Sequence, residues 1–346
     1  MPEQQLPQLH LGPIEIDFPV IQAPLSGYSD WPMRVIARRL GAPFTFCEVM
    51  LDQFVVNVSK GRKAQRFMRV WDEEHPCGAQ LMGAVPEEFV PAALKLVEAG
   101  FDAIDINFGC PVRKVVGKCR GGFLMSQPET ALRIVAHVRD ALPAEVPVTV
   151  KMRRGLDDSQ QSRDSFFTIF DGAFEQGVAA ITVHGRTVQQ KYEGASSWDF
   201  LREVKRHAGD RTVLGSGDLF TARACLDMLE QTGVDGVTAA RGAIGNPWIF
   251  RQARALAAGE PMPVPSLHEQ RDVLAEHFRL AEQIYGPQRS CRLMRKVGIK
   301  YARLHPRGEE VRAAFILVGN PAGWSDLLAR WYAEDLPGVE PANYPG

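Results

Sequence analysis

Eight short runs rich in β-branched and apolar residues, each bounded by turn signals, constrain this chain more than any other feature. They fall at residues 20–25, 44–50, 78–83, 103–109, 146–152, 179–185, 212–218 and 236–242. Stretches long enough for a helix separate them, with helix-period apolar patterns over 90–99, 130–141 and 222–230. Strands that read as nearly continuous apolar runs, each followed by a helix, imply a parallel sheet covered on both faces. Eight such units in about 255 residues is the size of a (β/α)8 TIM barrel. The competing arrangement is a doubly wound open sheet. A dinucleotide-binding version would carry GxGxxG after its first strand, and nothing near Leu25 supplies it; Gly215-Ser216-Gly217 lacks the third glycine.

Proline at positions 261, 263 and 265 interrupts the chain after the eighth unit. Helical patterns resume over 267–284 and 289–303. The expected organisation is a catalytic barrel over 1–258, a linker over 259–265, a smaller all-helical C-terminal domain over 266–335 and a loose tail over 336–346. The six cysteines form no CxxC pair, so no metal site is expected. The first residues lack a basic region followed by an apolar one, and no apolar run approaches membrane-spanning length. The expectation is a cytoplasmic, monomeric protein with free thiols and no membrane partner.

In a barrel of this kind chemistry collects where strands end and βα loops begin. Those tips carry Glu48, Gln80, Asn107 with Cys110, Lys151 with Arg153, His184, Ser216 with Asp218, and Arg241. Lys151 and Arg241 are fixed cations, and Gly217 and Gly242 allow backbone amides close approach, as a phosphate requires. Gln80 and Asn107 both donate and accept, which suits the edge of a flat heterocycle. His184 suits a ligand, a base or a hydrogen-bond donor. Together they describe a phosphorylated, ring-bearing ligand on top of the barrel.

Cys110 follows the fourth strand and precedes Pro111. The next segment, 112–122, holds Arg113, Lys114, Lys118 and Arg120 with no acid, and ends in Gly121-Gly122. A mobile, electropositive, accessible loop is expected there, conditions under which a thiol reacts. A nucleophilic thiolate and a proton-donating thiol are both open, and Cys119 is the rival candidate.

The residues then resemble a family. Ala23-Pro24-Leu25, Ser29-Asp30-Trp31-Pro32-Met33-Arg34, Glu48-Val49-Met50, Asp105-Ile106-Asn107-Phe108-Gly109-Cys110-Pro111, Val150-Lys151-Met152-Arg153, Thr182-Val183-His184-Gly185-Arg186-Thr187 and Gly245-Asn246-Pro247-Trp248-Ile249-Phe250 look like the bacterial tRNA-dihydrouridine synthases, from about residue 14 to 335. The resemblance implies FMN on the C-terminal face of the barrel, reduced by NADPH, and hydride transfer from flavin N5 to C6 of a uridine in tRNA. It implies Cys110 as the acid that protonates C5. By the same carry-over Gln80, Lys151 and His184 hold the isoalloxazine. Gly217 and Arg241 bind the FMN phosphate, with Ala23, Pro24, Ser216, Asp218 and Ala240 beside the cofactor. Asn107 lies against the flavin or the flipped base.

Leu25, Ser216, Ala240, Val116 and Val297 stand where the family usually has Met, Asn, Gly, Asn and His. Ser216 keeps a hydroxyl for a phosphate or ribityl group, and Val116 bears on substrate identity.

The charge count, 40 Lys+Arg against 41 Asp+Glu, gives no bulk attraction for nucleic acid. The basic surface is local. Residues 289–307 hold Arg289, Arg292, Arg295, Lys296, Lys300, Arg303 and Arg307 with no acid, and helical spacing puts Arg292, Lys296, Lys300 and Arg303 on one face. Arg292, Arg295, Lys296 and Lys300, with Arg113 and Lys114 beside Cys110, are the expected tRNA contacts. A small-molecule FMN barrel enzyme of the dihydroorotate dehydrogenase type is the alternative, and it would not need this basic tail. A binding module that has lost its reaction would leave Cys110 dispensable.

Overall fold

A computed structural model describes residues 6, 8–58 and 67–340. Eight parallel strands close into a barrel: β3 (Val20–Gln22), β4 (Thr45–Leu51), β5 (Cys77–Met82), β6 (Ala103–Phe108), β7 (Val148–Arg153), β8 (Ala180–His184), β9 (Val213–Ser216) and β10 (Gly236–Ala239). The last strand pairs with the first, Thr238 opposite Ile21. The expected TIM barrel is therefore found, with helices outside it covering the apolar outer face of the strands. Several strands are shorter than expected. β3 stops at Gln22, since Pro24 has no amide to continue the ladder. β9 stops at Ser216 because Gly217 (φ 117°) and Asp218 (φ 59°) turn the chain out of the sheet.

A hairpin that the sequence does not announce precedes the barrel: β1 (Leu9–Leu11) pairs antiparallel with β2 (Ile14–Ile16), turning at Gly12 with φ 59°. Leu9, Leu11 and Ile16 form one buried cluster with Ile21, Phe44, Phe46, Ala103, Ala180 and Leu214. The N-terminal end of the barrel is thus an apolar floor. Gly78 belongs to its fit, because a Cβ there would lie 2.4 Å from the Phe46 ring. Above the floor the inward positions turn polar, with Gln80, Asp105, Thr149, Thr182, Ser216 and Thr238 all buried. The period of two along each strand places these residues over the floor in successive layers.

Beyond helix Ile249–Ala257 no regular element occurs until Leu267. Ser266 then caps helix Leu267–Tyr285, its side chain accepting from Glu269 while the Glu269 carboxylate returns to the Ser266 amide. Helices Pro287–Tyr301, Gly308–Leu317 and Pro321–Trp331 follow. Their core includes Met294, Tyr301, Phe315 and Trp324 and continues into Trp31, Val35 and Ile36 of barrel helix Trp31–Arg39, and into Trp248. The segment expected to be a loose tail is tied down where it is described: the Leu267 amide donates to Leu336 O and the Val339 amide to Leu304 O, both at 2.9 Å. Residues 341–346 of that expectation lie outside the described residues. Among the described residues no helix is long and apolar enough to cross a membrane.

Candidate active site

The C-terminal ends of the strands surround a cavity of about 340 Å³, within the usual range of a ligand pocket. Ala23, Pro24, Gln80, Asn107, Cys110, Lys151, His184, Ser216, Gly217, Asp218, Ala240 and Arg241 all line it. These are the residues expected there, drawn from seven strand ends. Glu48 is not among the lining residues; its carboxylate is turned to the amide of Gly27.

One wall is a hydrogen-bonded chain. Thr149 Oγ1 and Gln80 Nε2 each donate to the Asp105 carboxylate at 2.6 Å, and Asn107 Nδ2 donates to Gln80 Oε1 at 2.8 Å. Asn107 Oδ1 then accepts from the amides of Gly109 (2.9 Å) and Cys110 (3.0 Å). Burial raises the Asp105 pKa to about 6 despite these donors and nearby Lys151. Asp105 and Thr149 were missed by the sequence reading. Their signal is position, since each stands two residues before an expected site residue on the same strand face.

Lys151 Nζ reaches Ser216 Oγ at 3.4 Å, the upper limit of a hydrogen bond. Burial lowers its pKa to about 8, with Asp105 opposing and Arg153 reinforcing the shift. His184 is pushed well below its ordinary value, first by burial and then by Lys151, Arg153, Arg186 and Arg241. Its ring is neutral at pH 7. Arg186 Nη1 donates to Nε2 at 3.4 Å, which leaves the ring proton on Nδ1.

Arg186 is a third residue the sequence reading left without a role. Buried, it forms an ion pair with Asp218 at 2.7 Å, and Arg241 meets the same carboxylate at 3.3 Å. The Arg241 guanidinium also lies 4.7 Å from the Phe220 ring centre and 5.1 Å from that of Tyr192. A Cβ on Gly217 would come within 2.3 Å of Ser196 Oγ, so this turn admits only glycine.

At the mouth, burial raises the Cys110 pKa, outweighing the Val112 amide and Arg153. The thiol is protonated at neutral pH. The loop beyond is accessible, with 112–114 and 117–119 exposed, but it is folded back on Cys110. Residues Arg113–Val116 form a short helix, and the Gly122 amide returns to Cys110 O at 3.0 Å. Gly121 and Gly122 permit this return: their Cβ atoms would lie 2.8 Å from Cys110 Cβ and 2.9 Å from Cys110 O. Arg113, Lys114 and Cys119 are exposed and do not line the cavity.

On helix Pro287–Tyr301, Arg292, Arg295 and Lys300 are exposed, as RNA contacts require. Lys296 departs from that row. Its ammonium is turned to the barrel, donating to Gly27 O and lying over the Tyr28 ring. Arg303 likewise donates to Gly242 O and Ile244 O at 2.8 and 3.1 Å. Charge spacing names the face that the residues share, but not what that face meets.

A family match decides what kind of barrel this is. Residues 21–328 match the profile described as Dihydrouridine synthase (Dus). The chain belongs to the dihydrouridine synthase family. A "Probable tRNA-dihydrouridine synthase" of Rickettsia typhi is 33% identical over 325 residues, covering 94% of this chain and 97% of that protein. The "tRNA-dihydrouridine synthase B" of Xanthomonas axonopodis pv. citri is 34% identical over 335 residues, covering 96% and 98%.

Solved structures share the fold at lower identity. Morphinone reductase superposes with a TM-score of 0.54 at 15% identity, over 76% of this chain and 91% of that one. Histamine dehydrogenase from Rhizobium sp. 4-9 gives 0.57 at 14%, over 79% and 50%. The cavity of this dihydrouridine synthase family member is accordingly its candidate active site.

Elsewhere, among the described residues, His75, Cys77 and Asp102 bring possible metal-ligating atoms within 4.8 Å of one another. They lie at the starts of β5 and β6, at the floor end of the barrel. Asp102 Oδ2 bonds His75 Nδ1 at 2.8 Å and accepts from the Cys77 amide at 2.7 Å, contacts that account for the cluster as the cap of a strand.

Proposed function

We propose that this protein reduces a uridine in tRNA to 5,6-dihydrouridine, with FMN in the barrel cavity and NADPH as reductant. The observation that carries the reading is the cavity's combination of Lys151, neutral His184 and protonated Cys110 in a member of the dihydrouridine synthase family.

The residues fit a flavin mononucleotide on the structure's own terms. Thr238 Oγ1 lines the cavity buried and finds no hydrogen-bond partner among the described residues, so a polar ligand would satisfy it. Lys151 and Arg241 offer positive charge for an anionic ring and a phosphate, and Gly217 allows close backbone approach. Gln80, Lys151 and His184 would hold the ring, and Gly217 and Arg241 the phosphate, with the Asp218 carboxylate orienting Arg241. When bound, the flavin supplies two-electron chemistry, accepting hydride from NADPH and delivering it to C6 of the uracil.

The protein's own part is positioning and one proton. Cys110 Sγ gives its proton to C5, and solvent restores it. Lys151 keeps positive charge beside the ring in a site where water screens little. Asn107 orders the Cys110 backbone through its two amide bonds. A target base must leave its stack to reach a cavity at the strand ends.

We read residues 266–335 as the tRNA-binding unit, joined through 259–265 to a catalytic unit over 1–258. Exposed Arg292, Arg295 and Lys300 meet phosphates, and Arg113 and Lys114 extend that contact at the mouth. A small-molecule flavin enzyme has no use for this surface. A tRNA substrate also goes with a cytoplasmic location.

The test is direct. Purified protein is expected to be yellow, and the reduced protein to be reoxidised by unmodified tRNA but hardly by free uridine. A colourless preparation that FMN cannot reconstitute overturns the reading.

A further inference from the structure

We propose that Asp105 is a positioning residue whose carboxylate sets the direction of a hydrogen-bond chain through Gln80 and Asn107, and so holds the backbone of Cys110. The chain runs from β6 to β5 and back to β6, with bonds of 2.6, 2.8, 2.9 and 3.0 Å.

Its direction is forced from both ends. A carboxylate accepts and cannot donate, so Gln80 must turn Nε2 towards Asp105 and Oε1 away. At the far end the amides of Gly109 and Cys110 donate and cannot accept, so Asn107 must present Oδ1 to them. The two constraints meet where Asn107 Nδ2 donates to Gln80 Oε1, and they agree. A donor in place of the carboxylate would set donor against donor somewhere along the row.

The arrangement also limits what the wall offers a ligand. Both lone pairs of Asn107 Oδ1 are engaged by backbone, so Asn107 can offer only its second Nδ2 hydrogen. The ligand atom facing Asn107 is therefore an acceptor, such as a ring carbonyl. Thr149 holds the opposite oxygen of Asp105 at 2.6 Å and prevents the carboxylate from rotating out of line. All four side chains of the row are buried, so water does not compete for these bonds.

Two substitutions separate positioning from charge. Asp105→Ala removes the acceptor. In Asp105→Asn the amide oxygen still accepts from Gln80 and the nitrogen can still donate to the Thr149 hydroxyl, so the row keeps its direction without a charge. The measurement is hydrogen exchange of the peptide spanning Gly109 and Cys110 in flavin-free, RNA-free protein.

Asp105→Ala is expected to speed exchange of these amides by about tenfold or more, while Asp105→Asn stays within about threefold of the parent. Unchanged exchange in Asp105→Ala overturns the proposal. An equal rise in both variants also overturns it, because charge opposite Lys151 would then be what matters. If Asp105→Ala does not fold, Gln80→Met cuts the same row one link later and must speed exchange at the same amides; no change there is equally fatal.

The bearing on turnover rests on the function proposed above. If that function holds, kcat falls about tenfold in Asp105→Ala and is largely kept in Asp105→Asn. Because exchange is read without cofactor or substrate, failure of the positioning role and failure of the enzymatic reading are seen separately.

Discussion

The Lys296 ammonium lies 4.3 Å from the centre of the Tyr28 ring and donates to the carbonyl of Gly27. Tyr28 lines the cavity, so a residue of the helical segment holds part of the cavity's rim. Lys296→Met keeps the aliphatic stem and removes both contacts. It is expected to cost about 1–2 kcal/mol of stability in urea unfolding. Its tRNA affinity should fall less than that of an Arg292→Glu, Arg295→Glu double variant. The double variant should also flatten the salt dependence of binding, leaving flavin reduction by NADPH unchanged.

Cys110 and Cys119 stand nine positions apart in sequence but in different settings: the first lines the cavity and is held protonated, the second is exposed. Cys110→Ala should bind FMN normally and turn over tRNA at least about tenfold more slowly, the usual size of acid catalysis. Cys119→Ala should match the parent. Single-turnover reoxidation of the reduced protein by tRNA measures both.

Lys151 titrates at about 8 in the folded protein, against about 10.4 for an ordinary lysine. Between those values the unfolded chain binds more protons than the folded one, so stability rises with pH across that window as the buried ammonium is neutralised. Urea unfolding at pH 7.5 and pH 10 should show this rise in the parent. In Lys151→Met the contribution should be gone, which a comparison of the two pH differences reads out.

Gly78→Ala tests the floor. The new methyl would sit 2.4 Å from the Phe46 ring in a closed apolar cluster, and overpacking of this kind costs about 1–3 kcal/mol. A lowered Tm with flavin binding retained is the expected pair of results, because Gly78 packs in the floor and does not itself line the cavity.

The barrel was legible in the sequence because its strands are buried on both faces and therefore mostly apolar, as at Ala103, Ile104 and Ile106 or at Val148 and Val150. The site was legible because most of its polar residues stand near the strand ends, where they close those runs. The hairpin Leu9–Leu11 and Ile14–Ile16 was not, since strands of three residues are too short to display a period. Asp105 hid inside an apolar run, where one carboxylate looks like an exception and its partners Gln80 and Thr149 come from other strands. Lys296 misled for a different reason. Its spacing matches that of exposed neighbours, and only packing against the barrel shows that it points inward.

The apolar floor has a consequence for the order of events. Among the described residues, a tube closed at its floor by Leu9, Leu11, Ile16 and Phe46 opens at the strand ends. Under the proposed function a nicotinamide and a flipped uracil both need the same ring, and neither can arrive from below. They must take turns, so one visitor leaves before the next is admitted.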